Sequence, residues 1–115
     1  MPAEIGDLAA LEFLSIALNQ IAALPPQIGN LRALTTLLAS NMPSLTAMPP
    51  EIGNLGALVE LNVSGCQLTA LPRELGRLTQ LEQLLVNDNP LVTPPPDVVA
   101  QGTQAILQFL RQQPE

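Results

Sequence analysis

Residues 48–70 read MPPEIGNLGALVELNVSGCQLTA, and two periods run through them. From Ile52 the apolar residues come at every third position, through Leu55 and Leu58 to Leu61. That spacing suits a 3₁₀ or short α turn with one apolar side, and proline just before the run suits a helix start. After Leu61 the period falls to two, Leu61-Asn62-Val63. Such alternation suits a short strand with one face in and one face out. A unit this small cannot bury its leucines alone.

The unit recurs. Rows starting at Met1, Leu24, Met48 and Leu71 cover residues 1–23, 24–47, 48–70 and 71–93. Pro2, Pro25, Pro49 and Pro72 align, then Ile5, Ile28, Ile52 and Leu75, each followed by glycine (Gly6, Gly29, Gly53, Gly76). Leucine fills three more columns: Leu8, Leu31, Leu55, Leu78; Leu11, Leu34, Leu58, Leu81; and Leu14, Leu37, Leu61, Leu84. Each row predicts one coil of helical turn plus strand, and stacking the coils builds one elongated core with a parallel strand ladder. The glycines recur with the repeat, so they are expected to serve the turn and not to cradle a phosphate.

These rows resemble the leucine-rich repeat family, L-x-x-L-x-L-x-x-N/C-x-L. The L-P-x-E-I-G-x-L variant is similar to the Ras-associated group, which includes Scribble-like scaffolds, plant intracellular Ras-group proteins and the repeat regions of Roco GTPases. The expected fold is an α/β leucine-rich-repeat solenoid, a short horseshoe arc. Four parallel strands line its concave face, 3₁₀ or short helical turns its convex face, and a C-terminal helix closes it. The resemblance also implies an intracellular, cytoplasmic role in signalling or scaffolding.

Cys66 is the only cysteine, and the chain has no histidine. It stands in the column of Asn19 and Asn89, which the family resemblance assigns to an inward side chain bonding backbone groups where the chain leaves the strand. Buried backbone groups in an irregular turn need such partners, and a thiol is readily buried. A reactive thiol would need a base or cation beside it, whereas Arg73 and Arg77 fall on a later convex segment. Asn19, Cys66 and Asn89 are therefore expected to form a structural ladder. The second row breaks register: Asn41 arrives one place early, and one extra residue lies near Asn41-Met42-Pro43-Ser44. A small bulge and a contact loop on the rim both fit.

A terminal coil exposes its leucines and its strand edge unless something covers them. The stretch MPAEIGD offers no amphipathic helix for that role, so exposed surface is expected around Ile5, Leu8, Leu11 and Phe13. Membership of a longer array or self-association through this uncapped repeat would cover it. At the other end, residues 94–115 predict a cap. Prolines stop the last coil, Asp97–Ala100 make a turn, and Thr103 N-caps a helix over about 103–112. Val98, Val99, Ala105, Ile106, Phe109 and Leu110 are expected to face the open end of the stack. The run from Asn89 to Arg111 is similar to the segment that ends the repeats of many Roco proteins. No G-x-x-x-x-G-K-[ST] loop occurs in the chain, so GTP binding does not carry over to it.

Ten acidic residues against four arginines and no lysine give a net charge of −6, which argues against nucleic acid and anionic membrane surfaces. Without histidine or lysine, most catalytic arrangements are unavailable. Glu12, Glu60 and Glu82 read as solvated carboxylates, and Asn87-Asp88-Asn89 lacks the spaced ligands of a calcium loop. No catalytic, cofactor or metal site is expected. What remains is surface. Strand alternation turns three columns outward: Phe13, Thr36, Glu60, Gln83; Ser15, Leu38, Asn62, Leu85; and Ala17, Ser40, Ser64, Asn87. Leu38 and Leu85 are expected to be exposed apolar groups, as binding surfaces tend to show. The sequence thus reads as a non-catalytic protein-interaction module that binds a protein partner through its concave face. The alternative is a regulatory repeat fragment of a larger Roco-like GTPase.

Overall fold

The computed structural model describes residues 1–113; Pro114 and Glu115, the end of the expected 94–115 cap, lie outside them. The 3₁₀ turns Ala3–Asp7, Pro26–Asn30, Pro50–Asn54 and Arg73–Arg77 alternate with strands β1 (Phe13–Ser15), β2 (Thr36–Leu38), β3 (Glu60–Asn62) and β4 (Gln83–Leu85). The strands form one parallel sheet in the order β1-β2-β3-β4. Helices α1 (Pro96–Val99) and α2 (Thr103–Arg111) follow.

The three-residue spacing of the leucines is also the spacing of the hydrogen bonds. In the third coil the N–H of Ile52 donates to Pro49 O (3.0 Å), that of Leu55 to Ile52 O (3.3 Å) and that of Leu58 to Leu55 O (3.0 Å). Each step returns an apolar side chain to the same side, and Ile52, Leu55, Leu58 and Leu61 are fully buried. Pro26 and Pro50 sit in the first turn of their helices, where the missing N–H costs nothing. Adjacent coils are also clamped just before the strands, where Val59 N–H (2.8 Å) and Glu60 N–H (3.0 Å) share Thr35 O.

The repeated glycines serve the turns by letting them stack. A Cβ on Gly6, Gly29 or Gly53 would lie 2.8, 2.7 or 2.5 Å from the carbonyl oxygen of Gln27, Glu51 or Glu74 in the next 3₁₀ turn. The column is glycine because successive turns approach backbone to backbone, not because the turn needs unusual dihedrals.

The second coil also corrects the sequence reading. Asn41 is not an early ladder residue. It takes a left-handed conformation (φ 57°), as do Leu18, Gly65 and Asp88 at the equivalent place in the other coils. Met42, fully buried, fills the asparagine column. The extra residue therefore follows it, where Pro43-Ser44 replaces the single residue seen as Gln20, Gln67 and Pro90.

The cap stands where a fifth coil would stack. Arg111 lies against Gly76 as the next turn lies against the other glycines, and its Nε donates to Gly76 O at 2.7 Å. Thr103 does not N-cap α2; it is the first helical residue, preceded by Gly102 (φ 98°). Its Oγ1 instead accepts the N–H of Leu84 at 2.9 Å, satisfying a donor on the free edge of β4. Leu107, outside the expected face, joins Ile106 and Leu110 in the core. Val98, Val99, Ala105 and Phe109 are half-buried. At the opposite end Leu8 is 49% and Leu18 80% exposed. Ile5 and Leu11 are half-buried, not exposed as expected, because the second coil covers one side of them.

Candidate protein-interaction face

Parallel pairing sets two outward rows in strict register. One is Phe13, Thr36, Glu60 and Gln83; the other is Ser15, Leu38, Asn62 and Leu85. Between them the leucines of the middle column point into the core, where Leu37 and Leu61 are fully buried. The ladder runs on past the strands: Leu18 N–H donates to Ser40 O (3.1 Å), Asn41 N–H to Ser64 O (2.8 Å) and Gly65 N–H to Asn87 O (2.9 Å). These bonds align the third row, Ala17, Ser40, Ser64 and Asn87.

Apolar exposure concentrates at the two ends of this face. Phe13 is 57% and Leu85 37% exposed. Leu38 departs from expectation: flanked by Ser15 and Asn62 in the register, it is half-buried. Glu60 and Asn62 are also half-buried, while Ser15, Gln83 and Asn87 are exposed. Asn62 Oδ1 accepts the N–H of Ser64 at 3.0 Å, an Asx-type bond that fixes the chain where it leaves β3.

Behind this face runs the asparagine column. Asn89 Nδ2 donates to Val63 O (2.9 Å), Val86 O (3.0 Å) and Asn87 O (3.2 Å), and its Oδ1 accepts Leu68 N–H (3.1 Å). Asn19 donates to Ile16 O (2.7 Å) and Ala17 O (3.3 Å). Cys66 Sγ meets the equivalent carbonyls, Ala39 O at 3.3 Å and Ser64 O at 3.8 Å. A side chain here cannot find the acceptor-side partner that Asn89 has, because the extra residue lets Leu45 N–H bond Met42 O (3.0 Å) instead. A thiol, chiefly a donor here, suits a place that offers carbonyls and no free N–H. The column thus supplies bonds to the backbone. Among the described residues no group of three or more Cys, Asp or Glu gathers to hold a metal ion, and no helix is long and apolar enough to cross a membrane.

Residues 1–87 match the family model described as a leucine-rich repeat region, and the chain belongs to that family. Its arc resembles a leucine-rich repeat protein of Leptospira interrogans, LIC12759, with a TM-score of 0.81 and 35% identity over 88% of this chain and 26% of that one. It is similar also to the plant peptide hormone receptor RGFR1 in complex with RGF2 (TM-score 0.71, 32% identity, 79% of this chain, 15% of that one). A third is the Arabidopsis receptor kinase HAESA in complex with the peptide hormone IDA and the co-receptor SERK1 (0.66, 30%, 79% and 16%). The chain thus spans about a quarter or less of the length of these proteins. Curated protein sequences give no match. Domains of this family are typically protein-binding and usually non-catalytic.

Proposed function

We propose that this chain is a non-catalytic protein-interaction module that holds its partner across the strand face, in a cytoplasmic scaffolding or signalling setting. The observation that carries the reading is the outward row in which Ser15, Leu38, Asn62 and Leu85 stand in register on four parallel strands. A rigid sheet with an apolar group at its edge, mixed with hydroxyl and amide groups, has the composition of a recognition surface. Two of the similar structures are receptors in complex with peptide hormones, which favours a protein or peptide as the ligand. The cytoplasmic setting is supported by the L-P-x-E-I-G-x-L motif and by a lone, buried, unpaired thiol.

The test is affinity capture with the wild type, Leu85→Asp, and a convex control, Glu4→Gln. Loss of partners with Leu85→Asp alone supports the strand face; equal recovery from all three rejects it. Leu38→Asp is a poor probe, since Leu38 is half-buried and the change would also destabilise the sheet. A second reading draws on the cap: the segment Asn89–Arg111, similar to the end of Roco repeat regions, favours a regulatory role beside a GTPase domain. A P-loop encoded downstream in the same gene would support it. The exposed first coil, with Leu8 and Leu18 uncovered, favours self-association there. Light scattering that reports a monomer at high concentration would remove that element.

A further inference from the structure

Acidic residues of the described chain lie on both sides, with Glu4, Asp7, Glu51, Glu74 and Asp97 in the 3₁₀ turns or α1, but the arginines keep away from the strands. Glu12, Glu60, Glu82 and Asp88 lie in the strands or within three residues of them. The four arginines lie elsewhere: Arg73 and Arg77 in the fourth 3₁₀ turn, Arg32 just past the second, and Arg111 at the end of α2. Arg32 and Arg111 are tied to Gly29 O and Gly76 O, and Arg73 pairs with Glu74 at 3.6 Å on the convex side. The outward rows therefore carry one charge, that of Glu60, with Asp88 just beyond them and no arginine among them.

That side ends in a cleft of about 480 Å³ between the loop after β4 and α1. Val86, Leu91 and Val99 line it with apolar surface, and Asn87 and Asp88 supply polar groups. The loop is held in shape. Asn89 makes four bonds to backbone groups around it, and Asp88 adopts the left-handed conformation shared by all four coils. Asn87 also belongs to the third outward row, so the cleft continues the strand face.

We propose that the strand face and this cleft form one docking surface for a basic, extended segment of another protein. A lysine or arginine of that segment enters the cleft, lays its methylene stem along Val86, Leu91 and Val99, and brings its cationic head to Asp88. Its neighbours cover Leu85 and meet Glu60. About five or six extended residues cross four strands spaced about 4.8 Å apart. This inference rests on the strand face being the protein-binding surface, and adds the chemistry of the partner.

The test uses the full chain and fluorescein-labelled peptides built from Lys-Val-Ser repeats or Glu-Val-Ser repeats, read by anisotropy. The Lys peptide is expected to bind and the Glu peptide not to bind. Asp88→Asn combined with Glu60→Gln should weaken the Lys peptide about tenfold, from two partly exposed charges acting together. Asparagine tolerates the left-handed backbone at residue 88, so the fold survives the change. Glu4→Gln with Asp7→Asn removes the same net charge from the first 3₁₀ turn and should leave binding within twofold. Ala100→Trp, which fills the cleft, should weaken binding as the charge variants do. An unbound Lys peptide, insensitivity to Asp88→Asn with Glu60→Gln, or an equal loss from the convex pair would each overturn the proposal. The two readings fail separately. Partners lost with Leu85→Asp but kept by the charge variants would leave the strand face standing and remove the basic segment.

Discussion

Replacing Gly53 by alanine probes the contact that stacks one coil on the next. In an isolated helical turn the change would stabilise by about 0.4–1 kcal/mol, through lost freedom of the unfolded chain. Here the new Cβ would sit 2.5 Å from Glu74 O and 2.8 Å from Glu74 Cβ. Both neighbours belong to a turn pinned by buried Leu75 and Leu78, so they cannot swing aside like the tip of a long side chain. Restoring ordinary contact requires the third and fourth turns to separate by roughly half an ångström or more, and a gap of that size forfeits a quarter to a half of each dispersion contact across it. Overpacking of this kind costs about 1–3 kcal/mol. The net expectation is about 1–2 kcal/mol of lost stability, a fall in Tm of several degrees for a domain of this size. Gly56→Ala is the internal control, because a Cβ there meets nothing within 4 Å. With no tryptophan or tyrosine in the chain, unfolding is followed by far-UV circular dichroism. If Gly53→Ala proved as stable as Gly56→Ala, close backbone approach would not be the reason for the glycine column.

Two further measurements test other parts of the stack. Cys66 is 1% exposed, so a thiol reagent should label it only through opening of the fold. For a domain stable by about 5 kcal/mol, this is slower than in denaturant by roughly several thousandfold, and rapid labelling of the native chain would contradict its place in the ladder. Thr103→Val keeps the shape of the side chain but leaves Leu84 N–H without its acceptor. Urea unfolding should show a loss of about 1–3 kcal/mol, whereas an N-cap role would instead predict rescue by Thr103→Asn.

The register was legible because each coil spells it twice, in the three-residue run from Ile52 to Leu61 and in the two-residue step to Val63. What sequence could not weigh was contact between coils. The glycine column looks like turn chemistry until the carbonyl of the next turn is placed over it. Thr103 looks like a cap because it precedes a helix, but its partner Leu84 is 19 residues away. Leu38 looks exposed by alternation, yet between Ser15 and Asn62 in the register it is half-buried. The place of Met42 could have been found by counting from Leu24, but asparagine at residue 41 was the stronger local signal. The lack of arginine in the outward rows is present in the columns and becomes visible only when strands and turns are assigned to opposite sides.

Hydroxyl-radical footprinting, with and without the captured partner, asks most directly which surface is used. Four exposed apolar side chains serve as reporters: Phe13 and Leu85 on the strand side, Leu8 after the first 3₁₀ turn, and Val92 on the last loop. Binding through the strand face requires Phe13 and Leu85 to lose reactivity while Leu8 and Val92 keep theirs. Protection of Leu8 with Phe13 and Leu85 unchanged would place the partner on the convex side or on the open first coil, and the strand face would no longer be the recognition surface.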